Sequence, residues 1–184
     1  MKKIKIITVV GTRPELIRLS SVINKLDLLC DHILVHTGQN YDFELNEIFF
    51  NDLGLRKPKY FLNSSDQNNI KTIAKIIVGI EEILRNEKPD AFLILGDTNS
   101  SLTAICAKRK KIPIFHLEAG NRCFDQIVPE EINRKIVDHI SDMNLTYSSY
   151  AENNLLREGL DRDLIIKVGS PLKEVYEYYE NKID

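Results

Sequence analysis

Short apolar runs dominated by Ile, Val and Leu recur along the chain: IKIITVV at 4–10, HILVHT at 32–37, AFLILG at 91–96, IPIFHL at 112–117, MNLTY at 143–147 and LIIKV at 164–168. Runs of this length, bounded by polar turns, predict parallel strands buried on both faces. Between them apolar residues fall at spacings of three and four, as in Ile70, Ile73, Ala74, Ile77, Ile80 and Leu84, and predict a helix with one buried face. Strand and helix alternate throughout. Parallel neighbours need helical crossovers, nearly always right-handed, so the pattern predicts an α/β fold with a doubly wound, Rossmann-like parallel sheet. The stretch 54–69, with Gly54, Pro58, two serines and three asparagines, is the least regular connection and is expected to be the most mobile.

A length of 184 residues suffices for one well-cored domain and is short for two. The 25 basic and 27 acidic residues leave a formal charge of -2, which supplies no broad basic field for nucleic acid, so any anion must be met by a local site. MKKIKIITVV is too short an apolar run for a signal peptide or a membrane span, and a cytoplasmic location is expected. Cys30, Cys106 and Cys123 are odd in number, widely spaced and without a CxxC pair, which predicts reduced thiols and no structural zinc.

In an open parallel sheet, ligands bind beyond the carboxyl ends of the strands, and there the unusual residues fall. GTRPE (11–15), TGQNYD (37–42), GDTNSS (96–101), HLEAGNR (116–122) and VGSP (168–171) each come after an apolar run, so five polar, Gly-bearing turns are expected along one edge. Gly11 permits close backbone approach, and Pro14 inside the next helix is expected to leave amide donors at a positive helix end where Arg13, and Arg18 one turn later, reach an anion. The spacing is neither GxGxxG nor a P-loop, which disfavours NAD and ATP, and no cofactor is expected. Asp97 and Glu118 come directly after strands. Asp97 also reads as a helix cap, and Glu130 and Glu131 after Pro129 read as complements to a helix dipole. Three acids on neighbouring turns predict a crowded site in which at least one carboxyl is pushed towards exchanging protons near neutral pH. His36 and His116 could join Asp97 and Glu118 around a metal, but the spacing matches no compact metal motif and core histidines are the commoner case. Cys123 reads as structural.

Together, GTRPELIR, HTGQNYDFELNE, GDTNSSL, HLEAGNRCFDQIVPEEINRKIVDHISD and LTYSSYAENNLLREG resemble the non-hydrolysing UDP-N-acetylglucosamine 2-epimerases over essentially the whole chain. That resemblance implies the N-terminal half of a two-domain fold of the glycosyltransferase B type, with residues 1–169 as the Rossmann-like domain and 170–184 as a tail or hinge helix towards a second domain. It further implies a UDP-sugar substrate and partnership with a second Rossmann-like domain or a further copy, with neither nucleic acid nor membrane. By motif, Asp97, Glu118 and Glu130 match the family's acids and Arg13 its phosphate-side arginine, while Gly11, Arg18, Gln39, Arg122 and Arg134 join Arg13 as substrate-binding candidates. Arg18 stands where GTRPEAIK is commoner, and Asn40 where HTGQH is usual. AGNRCFDQIVPEE resembles the subgroup forming UDP-N-acetyl-L-fucosamine. A glycosyltransferase-like domain and a non-catalytic half-site remain as alternatives.

Overall fold

The computed structural model describes residues 3–39 and 50–180. Its strands are β1 (Lys5–Val10), β2 (Asp31–His36), β3 (Tyr60–Phe61), β4 (Ala91–Leu95), β5 (Ile114–Leu117), β6 (Met143–Thr146) and β7 (Ile165–Lys167). They form one parallel sheet in the order β3-β2-β1-β4-β5-β6-β7. The helices are α1 (Arg13–Leu29), α2 (Asn69–Glu87), α3 (Ala104–Arg109), α4 (Pro129–Ile140), α5 (Ser149–Arg157) and α6 (Leu172–Tyr179). Six strands lie where the apolar runs place them. The seventh, β3, falls inside the stretch 54–69, where Tyr60 and Phe61 pair with the end of β2 and the Ser64 hydroxyl donates to the Thr37 carbonyl at 2.6 Å. Two residues are too few to leave a periodic signal.

Alternate residues of each strand serve two cores. Ile7, Val9, Ile33, Val35, Phe92, Ile94 and Ile114 pack with Ile80, Ile83 and Leu84 of α2, Ala107 of α3 and Val137 of α4. Val10, Leu34, Leu93, Leu95 and Leu117 pack on the opposite face with Leu16, Leu19 and Ile23 of α1. The buried side of α2 holds Thr72, Ile76, Ile80, Ile83 and Leu84, whereas Ile70 is 72% exposed and Ala74 faces solvent. A spacing of three and four admits either stripe, and the sheet beneath selects the one that packs.

The crossover helices α3 and α4 pack on the α2 side, and on the other face α1, with Phe50 and Leu55, covers the first strands among the described residues. Beside α1 lies an apolar trough of about 830 Å³, lined by Ile6, Val22, Leu93, Phe115, Leu145 and Val168. Parallel strands are ordinarily covered on both faces, and this trough is the part left open. The end helix α6 does not cover it: α6 packs beside α1, with Val175 and Tyr179 buried and the Tyr179 hydroxyl donating to the Leu53 carbonyl. Tyr176 and Tyr178 are exposed.

At the carboxyl edge the turn after β5 has no room to spare, although those at Gly96 and Gly169 are open. Gly120 adopts φ +80°, and a Cβ there would lie 2.3 Å from the Ala151 carbonyl oxygen, whereas at Gly54, with φ +60°, a Cβ meets nothing within 4 Å. Gly54→Ala should therefore cost only the left-handed backbone penalty, about 1 kcal/mol. Gly120→Ala adds a backbone collision and should cost about 3 kcal/mol or more, read as urea unfolding midpoints. Equal losses would contradict this packing.

Candidate active site at the carboxyl edge of the sheet

The strand order reverses between β1 and β4, and at such a reversal an open parallel sheet forms its ligand crevice, here between the turns after β1 and β4. Gly11 lies at its floor. A Cβ on Gly11 would lie 2.0 Å from Ser100 Oγ and 2.3 Å from Thr37 Oγ1, two buried hydroxyls that hydrogen-bond each other at 2.8 Å. Only glycine lets three turns meet here. Gln39 reaches the same point, with its Cδ 3.2 Å from that position and its Oε1 buried without a partner. Asn40, Tyr41 and Asp42, the rest of that turn, lie outside the described residues.

The amide donors at the start of α1 are not open to an external anion. Glu15 folds back so that its Oε2 accepts from Gly11 N–H at 2.8 Å, Thr12 N–H at 2.7 Å and the Thr12 hydroxyl at 2.9 Å. Its Oε1 accepts from the Thr98 hydroxyl, on the turn after β4, at 2.9 Å. The helix's own carboxylate thus occupies the place expected for a ligand, and it couples the two walls of the crevice. Burial pushes the Glu15 carboxyl up to about 7, outweighing the four hydrogen bonds that favour its charge. The signal was in the sequence, since Thr-Arg-Pro-Glu has the spacing of a capping box.

Asp97 and Glu118 leave the sheet side by side, because Gly96 N–H donates to the Leu117 carbonyl at 2.9 Å. Neither is a simple cap: the hydroxyl that accepts from Ser100 N–H belongs to Thr98, and Glu118 sits at φ +66°, a left-handed conformation costly for a non-glycine residue. Each has an arginine. Arg134 of α4 places Nε and Nη2 each 2.6 Å from Asp97 Oδ2, and Arg18 of α1 pairs through Nη1 with Glu118 Oε2. Asn121 Nδ2 donates to Glu118 Oε1 at 3.3 Å. The crowded acids expected from sequence stand here as acid–arginine pairs at Asp97 and Glu118, because α4 and α1 deliver a cation to each. Tyr147, at the end of β6, has a buried hydroxyl without a partner, and burial together with the nearby Glu118 charge raises its pKa.

The two glutamates opening α4 divide. Glu130 is exposed in the first turn, while Glu131 is fully buried and accepts from Cys123 N–H at 3.1 Å, Phe124 N–H at 3.2 Å and Arg134 Nη1 at 3.1 Å. Burial works to raise its pKa, but these bonds prevail and hold it low. Arg122 does not open onto the crevice: its side chain is fully buried, forked onto Glu158 at 2.7 and 2.6 Å and bonded to Asp138 at 2.7 Å. Arg13 is half-buried at the first position of α1. Neither histidine is displayed for a metal. His36 is buried, stacked on Phe61 with ring centroids 4.9 Å apart, and burial lowers its pKa to about 4. His116 is likewise buried, with Nε2 2.8 Å from the Gly96 carbonyl.

A family model described as UDP-N-acetylglucosamine 2-epimerase matches residues 25–184. The chain is similar to the UDP-N-acetylglucosamine 2-epimerase of Rickettsia bellii, with 57% identity and a TM-score of 0.93 over 98% of this chain and 48% of that one. It is also similar to the Methanocaldococcus jannaschii UDP-GlcNAc 2-epimerase solved in complex with UDP-GlcNAc and UDP, at 39% identity and a TM-score of 0.93, covering 97% and 50% of the two chains. A Pseudomonas aeruginosa UDP-2,3-diacetamido-2,3-dideoxy-D-glucuronate 2-epimerase is 38% identical over 176 residues, 92% of this chain and 49% of that protein. The chain spans about half the length of these relatives.

Glu15 gives the site a pH signature. With a folded pKa near 7 against 4.5 for the free side chain, the unfolded state releases this proton first as pH rises, so stability is highest below pH 4.5, falls between 4.5 and 7, and then levels off. Glu15→Gln retains the shape, has nothing to titrate, and should gain on the wild type by up to about 3 kcal/mol across that interval. Urea unfolding at pH 5 and pH 8 measures it, and a stability difference independent of pH would contradict the raised pKa.

Proposed function

The chain belongs to the UDP-N-acetylglucosamine 2-epimerase family, and we propose that it binds a UDP-N-acetylhexosamine in the crevice at the carboxyl edge and supplies the proton-handling groups that invert C2. The carrying observation is the pair of acids that leave the sheet together, Asp97 and Glu118, each held by an arginine. Inversion at C2 needs one group to remove a proton from one face and another to deliver one to the opposite face. The C2 hydrogen is not acidic, so its removal accompanies cleavage of the C1–O bond: the C2–H electron pair becomes the double bond of a 2-acetamidoglycal, and the C1–O pair departs on UDP. Return of UDP to C1, with protonation of C2 from the other side, gives the epimer.

Asp97 suits the first role, since Arg134 holds Oδ2 and leaves Oδ1 for the proton. Glu118 and Glu130 serve the opposite face and the positive charge that develops on the ring, and Arg13 takes the charge of the departing diphosphate. Gln39, with an unpartnered buried oxygen beside Gly11, is placed to accept a substrate hydrogen bond. Arg18 serves the same edge through Glu118, while Arg122 supports the turn from behind. Such chemistry fits the supply of precursors for cell-surface polysaccharide in the cytoplasm. Among the described residues no helix is long and apolar enough to cross a membrane.

A second reading, that this chain is a half-site, is favoured by two observations: it spans about half of its relatives, and an apolar trough on its sheet is uncovered. On that reading residues 170–184 lead towards a second Rossmann-like domain that covers the trough and completes the UDP site.

Proton NMR of the purified chain with UDP-N-acetylglucosamine in deuterated water, and then with the corresponding 6-deoxy-talose sugar nucleotide, separates the two. Deuterium at C2 and a second epimer support a working site in this chain, with the faster sugar naming the substrate class, whereas no exchange with either favours the half-site. In protein that exchanges, Asp97→Asn should lower the rate by about 100-fold or more while UDP affinity, measured by calorimetry, is retained. Wild-type rates in that variant would remove Asp97 from the mechanism.

A further inference from the structure

Asp138, on α4, is fully buried and belongs to none of the roles above. Its carboxylate nevertheless touches the turn that follows Glu118 and reaches the turn of Asp97 through one side chain, His116. It accepts from Gly120 N–H at 3.3 and 3.2 Å, two residues beyond Glu118. Oδ1 lies 2.8 Å from His116 Nδ1, and the opposite ring nitrogen, Nε2, lies 2.8 Å from the carbonyl of Gly96, the residue before Asp97. A carbonyl and an ionised carboxylate both only accept, so the ring bridges them by donating from both nitrogens. Oδ2 accepts from Arg122 Nη1 at 2.7 Å, and Arg122 is itself forked onto Glu158.

We propose that Asp138 is a positioning residue that sets the placement of Asp97 relative to Glu118, holding the Glu118 turn directly through Gly120 and the Asp97 turn through His116. The inference rests on the reading of those two acids as the proton-handling pair. The Glu118 turn needs such restraint, since Glu118 at φ +66° is in a left-handed conformation that a non-glycine residue does not prefer. Surrounding bonds fix them further, since Asn154 Nδ2 donates to the Gly120 carbonyl at 3.0 Å and Asn144 Nδ2 to the Asp138 carbonyl at 3.0 Å. A buried carboxylate with an arginine costs desolvation and adds little net stability over an apolar pair, so stability alone does not account for this arrangement.

The test uses the full chain labelled with 15N, as wild type, Asp138→Ala, Asp138→Asn and His116→Ala. In Asp138→Ala the C2 exchange rate at saturating sugar nucleotide should fall about 10- to 100-fold, with half-saturation changed by less than about threefold. Asp138→Asn should recover most of the rate, because its oxygen still accepts from Arg122 and Gly120 while its amide faces His116. The amide signal of Asp97, which Asp138 does not touch, should move in Asp138→Ala and in His116→Ala. His116→Ala also serves if Asp138→Ala does not fold. An Asp97 signal that stays in place in the folded variants, or a rate that tracks only the folded fraction, would overturn the proposal. If the wild type shows no exchange, the functional reading fails by itself and the Asp97 amide decides the positioning claim.

Discussion

A carboxyl group removed from water needs donors that replace the lost hydration, and three such groups organise the carboxyl edge of this protein. Glu15, Glu131 and Asp138 are all almost completely buried. Each collects backbone N–H groups from a turn that no strand or helix would otherwise hold: Gly11 and Thr12, then Cys123 and Phe124, then Gly120. Without these acids the turns would keep unsatisfied amides at a buried edge.

Arginines complete the scheme. Arg134 bridges the buried Glu131 and the more accessible Asp97, so one guanidinium links a loop anchor to an acid at the edge. Arg122 bridges Asp138 and Glu158, and Arg18 meets Glu118 across the crevice. Of the dense charge in HLEAGNRCFDQIVPEEINRK, Glu118, Arg122, Glu131 and Arg134 are spent on ion pairs, while Asp125 and Glu130 stay exposed. In the pairs, the buried Glu131 and Asp138 hold backbone turns and Asp97 and Glu118 stay accessible. Leaving the accessible acids on arginines orients them before a ligand arrives, which is the condition for acting on charge that develops during a reaction.

The same scaffold explains why the edge is tight while the opposite sheet face is loose. Close approach of the turns after β1, β2 and β4 requires Gly11, whereas the strands beyond β1 on the α1 side leave an apolar trough. Chemistry is concentrated where the topology forces turns together, and apolar surface is left where no crossover of these residues returns.

The alternation of apolar runs and amphipathic stretches determined the class of fold and six of its strands, because burial on both faces of a parallel sheet leaves a signal in every strand longer than a few residues. It also placed Asp97, Glu118 and Gly11 at the carboxyl edge, since the residues immediately after a parallel strand must lie there. Local sequence left open which of Glu130 and Glu131 turns inward and that Arg122 is spent on Asp138. Those outcomes depend on partners 7 to 36 residues away and on which side chain loses water. Hydrophobic periodicity is written residue by residue, but the pairing of a buried charge is decided only when distant turns are brought within hydrogen-bonding reach of one another.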